Sequence, residues 1–152
     1  MKVWQFCLRA TAEGLLISIL LSAVLSQSGA SARDMSRIRN WQELFFLAVI
    51  VAPLWETIAF QTLPIAAARY YKMSFRSQIL VSTVLFTIPH MFHGIGTGLA
   101  AGLVGGFYLA FTYSHWVAQS QATAFAATAL SHALRNGLAL LMLAAGGYSP
   151  GK

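Results

Sequence analysis

The sequence predicts an all-α, polytopic membrane bundle of about five transmembrane helices, and three observations carry that expectation. The 152 residues are 57% hydrophobic and 9% charged, with a mean hydropathy of +0.64, too few charges to clothe a water-soluble globule of this size. Five apolar stretches approach the roughly 20 residues a helix needs to cross a bilayer. The basic residues that give a formal net charge of +6 fall in short polar breaks between those stretches. That is the distribution of membrane loops and headgroup contacts, so the lipid bilayer is the expected partner and nucleic acid is not. The single cysteine, Cys7, has no second thiol for an internal disulfide and cannot build a thiolate metal site.

The first span is expected over about residues 8–25, with Glu13 near its start. Lys2 and Arg9 precede its apolar run, and Ala30-Ser31-Ala32 resembles a signal-peptide cleavage site. The rest of the chain is itself strongly hydrophobic, however, so the segment is expected to stay as a signal anchor. Residues 26–40, with Arg33, Asp34, Arg37 and Arg39, read as a loop or a surface-lying helix. The chain thus divides into an N-terminal helix and polar loop, 1–40, and a core, 41–152. The second stretch, about 43–71, exceeds the length of a span and contains Pro53 and Pro64, so a tilt, kink or break is expected, with Glu56 deep in the middle.

The third span, about 77–92, follows a basic turn holding Arg69, Lys72 and Arg76, and Pro89 should disturb its last turn. The fourth, about 96–117, carries Gly98, Gly102 and Gly106 in a row near one face, a pattern that permits close helix packing. The fifth runs over about 121–146 and ends at Gly146-Gly147, before a tail with Pro150. Neither a repeat nor a soluble domain is evident. Lys2, Arg9, Arg69, Lys72 and Arg76 oppose Arg33, Arg37, Arg39 and Lys152 across a five-span topology, a near balance that leans only weakly to a cytoplasmic N-terminus. Trp41, Tyr70, Tyr71, Tyr113 and Trp116 lie near span ends and read as interface anchors.

Ionisable groups are costly in the hydrocarbon layer, so each marks a candidate site. Glu56, His90, His132 and Asn136 are the four candidates. Glu56 has no basic residue within one helical turn, and a deep carboxyl so placed suits proton transfer near neutral pH. His132 and Asn136 are four apart and share a helix face; Phe86 and His90 have the same spacing. Each has a structural alternative. Asn136 alone is more often an interhelical hydrogen-bond residue, and His90, beside His93, suits an interfacial position. His93, His115, Glu13 and Glu43 sit near span ends, where solvated surface is the default. Arg135 points away from the His132 face, and snorkelling, pairing with a carboxylate and binding a substrate terminus all remain open.

At these residues the chain resembles the CPBP family of intramembrane proteases, which includes CAAX prenyl-protein endopeptidases and bacteriocin-processing or self-immunity proteins. The family's first motif, two glutamates followed after three residues by an arginine, is similar to Glu56 through Gln61, preceded by Ala52-Pro53. Its FxxxH motif matches Phe86 through His90, and its HxxxN motif matches His132 through Asn136. The resemblance covers about residues 42–146, a four-helix catalytic core by family analogy. Thr57 stands where the family usually has its second glutamate, and Gln61 where it has arginine; losing both charges together leaves neither buried alone. The short length and altered first motif resemble compact members associated with JDVT-CTERM protein-sorting systems.

The resemblance implies an intramembrane endopeptidase in a bacterial inner membrane, acting on a membrane-anchored protein or peptide. Glu56, helped by His90, would activate water, while His132 and Asn136 would stabilise the oxyanion. No cofactor is expected on that glutamate mechanism. Glu56, His90 and His132 also have the chemistry to bind zinc, although no HExxH pair is present. Two rival functions stand beside it: a non-catalytic immunity or scaffold protein, and a small proton-coupled transporter.

Overall fold

The computed structural model describes residues 2–30 and 40–149. Arg33, Asp34, Arg37, Arg39, Pro150 and Lys152, and most of the Ala30-Ser31-Ala32 signature, lie outside the described residues, so the loop and cleavage readings there have no structural counterpart. The described residues form five helices: α1 (Val3–Gln27), α2 (Trp41–Tyr70), α3 (Phe75–Met91), α4 (Ile95–Trp116) and α5 (Gln121–Ala145). The helix starts are written locally. Side-chain oxygens of Asn40, Ser74 and Ser120 accept the backbone N–H of Glu43, Ser77 and Thr123, capping α2, α3 and α5. Gly94, at φ 110°, makes the left-handed turn between α3 and α4.

Helices α1, α2 and α4 are long and apolar enough to cross a membrane. Their outer faces agree: Leu16 and Leu20 on α1 and Trp55 and Leu63 on α2 are exposed, as suits side chains solvated by lipid. Helix α1 starts five residues earlier than expected, and Arg9 and Glu13, four apart, form an ion pair at 2.6 Å on its outer face. Glu13 therefore lies well inside the helix rather than near its start.

Pro53 and Pro64 do not break α2. The helix runs through both and widens into π-helical segments at Phe46–Val51 and Thr57–Thr62; a third lies in α4 at Gly98–Gly105. Each segment presents one main-chain carbonyl to a side chain from another helix. Asn136 Nδ2 donates to the Ala48 carbonyl, Ser82 Oγ to that of Phe60, and Ser18 Oγ and Arg135 to that of Ala100. Proline explains two of these. Pro64 has no N–H for Phe60, four residues back, and Pro53 has none for Ala48, five back, the partner π-helical pairing needs. In an apolar environment a freed carbonyl requires a replacement donor, and the neighbouring helices supply it.

The glycine row on α4 packs as its spacing predicts. A Cβ at Gly102 would stand 2.9 Å from His90 Cβ, one at Gly106 3.0 Å from Phe86 Cδ1, and one at Gly98 would collide with Met91. Glycine thus lets α4 approach α3 at the two residues of the FxxxH motif.

Helix α1 is integral to the bundle. Cys7, Thr11, Gly14 and Ser18 form a stripe along it. Cys7 Sγ contacts the Ala127 carbonyl at 3.5 Å, Thr11 Oγ1 donates to that of Ser131, and Ser18 receives Arg135, so α1 and α5 run parallel with matched register. Near the N-terminal ends of α1 and α5, Phe6, Ile65, Tyr113, Trp116 and Ala124 share a hydrophobic core. This overturns the anchor reading of Tyr113 and Trp116, which are 2% and 4% exposed: α1 covers them, with Phe6 packing edge-on against Trp116. Tyr70 and Tyr71 do project outward at the end of α2.

Candidate active site

Glu56 lies on α2 between its two π-helical segments, and its carboxylate Oε2 is 3.7 Å from Nε2 of His132 on α5. That distance lies within ion-pair range but beyond a good hydrogen bond. His132 is 4% exposed, whereas the Glu56 side chain keeps about a quarter of its surface, so the pair joins a buried ring to a carboxylate still open to its surroundings. Nδ1 of His132 forms no hydrogen bond with the described residues.

His90 sits one residue after Pro89, near the end of α3, and its Nδ1 lies 2.8 Å from the Phe86 carbonyl. A carbonyl only accepts, so Nδ1 carries a proton and donates it to Phe86. The Phe86 ring is 2% exposed and touches both histidines: it stacks on His90 at 4.4 Å between centroids and meets His132 edge-on at 5.8 Å. Phe60 from α2 meets the Phe86 ring edge-on at 5.6 Å. The three sequence motifs therefore converge around one aromatic ring.

Asn136 is one turn beyond His132. Its Nδ2 donates to the Ala48 carbonyl at 2.7 Å, tying α5 to α2, the interhelical role its residue type most often plays. One N–H of that amide is thereby committed to structure. Among the described residues no group of three or more His, Cys, Asp and Glu side chains is placed to hold a metal ion, the set Glu56, His90 and His132 included. His93 and His115 are exposed at helix ends, as their positions imply.

Several features escape sequence reasoning. Arg135 points into the bundle, where its guanidinium donates to the Ser18 hydroxyl and the Ala100 carbonyl, both neutral groups. Gly14 and Gly105 clear the space: a Cβ at either would stand 3.1–3.2 Å from the guanidinium. The stripe of Cys7, Thr11, Gly14 and Ser18, at spacings of four, three and four, was the available signal for this interface. Thr57 and Gln61, the two departures from the CPBP pattern, are both 0% exposed.

Comparison with protein-family models, with curated proteins and with solved structures returns no match to this chain.

Proposed function

We propose that this protein is an intramembrane endopeptidase of the CPBP type, hydrolysing a peptide bond in a membrane-anchored protein or peptide. The observation that carries the reading is the Glu56–His132 pair, 3.7 Å apart inside an apolar bundle, with His90 stacked on the Phe86 ring that His132 meets edge-on. In this reading all five helices span the membrane, a bacterial inner membrane. The short α3 and the polar-studded α5 are the inner pair that carries the histidines.

The chemistry follows from the donors and acceptors. Glu56, helped by His90, takes a proton from water as the water oxygen attacks the scissile carbonyl carbon. The oxygen of that carbonyl becomes an oxyanion and accepts from Nε2–H of His132 and from the second N–H of Asn136. Collapse of the tetrahedral intermediate breaks the C–N bond, and Glu56 returns its proton to the leaving amine. The products are a carboxylic acid and an amine, and Glu56 is again ionised. The apolar helices around the pair strengthen each of these interactions by excluding bulk water.

The experiment is cleavage of a co-expressed anchored substrate, followed by gel mobility, with Glu56→Gln and His132→Ala compared with wild type and insertion of each variant verified. Both variants are expected to lose roughly 100-fold or more in rate, the scale of a lost general base or oxyanion donor. Wild-type rates in both variants would remove the assignment of this site. A non-catalytic scaffold has one observation of its own, the Asn136–Ala48 tie. Absence of cleavage by wild type across a panel of anchored substrates favours that reading.

A further inference from the structure

Helices α2 and α5 are antiparallel, and three points fix their register: Ala48 meets Asn136, Glu56 meets His132, and Ile65 shares a core cluster with Ala124. Between the second and third points that register carries Thr57 alongside Ser131 and Gln61 alongside Thr128. Thr57, Gln61 and Thr128 are each 0% exposed and Ser131 is 3% exposed. Even so, Thr57 Oγ1, Thr128 Oγ1, Ser131 Oγ, both amide atoms of Gln61 and Nδ1 of His132 form no hydrogen bond with the described residues. Helix α2 is π-helical over Thr57–Thr62, the stretch that holds Thr57 and Gln61.

Six buried polar atoms at one level of α2 and α5 are a donor and acceptor set for a small ligand that both gives and accepts hydrogen bonds. Gln61 offers two donors and an acceptor, the hydroxyls offer both, and His132 Nδ1 completes the set next to the Glu56 pair. A water molecule with about three such partners is the usual occupant of a buried polar niche. An anion would meet no cation on these residues, and an apolar molecule would leave every one of the six unsatisfied.

We infer that Thr57, Gln61, Thr128, Ser131 and His132 Nδ1 hold an internal water cluster behind the Glu56–His132 pair. Its use rests on the proposed hydrolase: the cluster positions the His132 ring through Nδ1, so that Nε2 faces Glu56 and the substrate, and stores water within reach of a site walled off from solvent. Gln61 and Thr57 are then positioning residues. They give the chain a neutral, hydrated support at the two places where the family pattern sets a charged pair.

The test is water-edited, proton-detected solid-state NMR of the full chain in lipid bilayers with Gln, Thr and Ile labelling. Gln61→Met identifies the Gln61 side-chain amide resonance. The expected result is transfer of water magnetisation to that amide on the timescale seen for exposed Gln42 and Gln121, and at least a twofold loss of transfer to Thr128 in Gln61→Met. A Gln61 amide that stays as dark as the Ile65 methyls while Gln42 and Gln121 saturate would overturn the proposal, as would unchanged transfer to Thr128 in the variant. The cleavage assay reads separately: a hydrated Gln61 without proteolysis removes the hydrolase and keeps the water site, and Glu56-dependent proteolysis with a dark Gln61 does the reverse.

Discussion

The His90 ring is oriented from behind by its own helix. The Phe86 carbonyl holds Nδ1–H, and Phe86 also supplies the ring on which His90 stacks. Histidine without that bond is free to change tautomer and to turn its ring. His90→Gln is expected to insert and fold but to lose at least about 100-fold in cleavage rate, read by substrate mobility on a gel. Asn136 makes the opposite kind of statement, because one of its donors already serves the bundle. Asn136→Leu should lower stability by about 1 kcal/mol, the scale of an interhelical hydrogen bond, read as a drop in Tm in detergent. If Asn136 also donates to the oxyanion, activity per folded molecule falls with it; if it is a tie alone, that activity is retained.

Among the elements, α4 decides how closely the histidine of α3 approaches the centre of the bundle. Gly102 and Gly106 leave no room for a methyl group beside His90 and Phe86. Gly106→Ala is expected to cost about 1–3 kcal/mol through overpacking, with cleavage reduced because Phe86 must shift. Gly137 is the internal control: on α5, next to Asn136, a Cβ there would meet nothing within 4 Å. Gly137→Ala should raise stability by roughly 0.5–1 kcal/mol through helix propensity, measured by thermal unfolding of both variants under one condition. The prolines of α2 act at the same scale. They free carbonyls that Asn136 and Ser82 then claim, so residues that look like breakers become docking points for other helices. Ser82→Ala leaves the Phe60 carbonyl without its donor in an apolar interior, and a loss of about 1–3 kcal/mol is expected in the same melt.

For the molecule as a whole, α1 closes the bundle over α4 and α5. Its stripe contributes Thr11 and Ser18 to interhelical hydrogen bonds, and its Phe6 packs on Trp116. Removing residues 1–40 would strip Arg135 of its hydroxyl partner and expose the buried Tyr113 and Trp116. A chain of residues 41–152 is therefore expected to aggregate or melt well below the full protein, monitored by size exclusion in detergent; an equally stable truncated core would show α1 to be an accessory.

The five apolar stretches, their order and most of their ends were legible in the sequence, because hydropathy acts locally. So were the close approach of the Gly98–Gly106 row and the inward position of Glu56 and His132, since the first depends on spacing and the second on the cost of leaving such groups in lipid. What needed the tertiary structure depends on which helix faces which. Trp116 looks like an anchor until α1 is laid over it, and Arg135 has no assignable partner until Ser18 and Ala100 arrive from two other helices. Pro53 and Pro64 mark where α2 must give up backbone hydrogen bonds, but only its packing against α3 and α5 determines which donors replace them, because those donors lie far away in sequence.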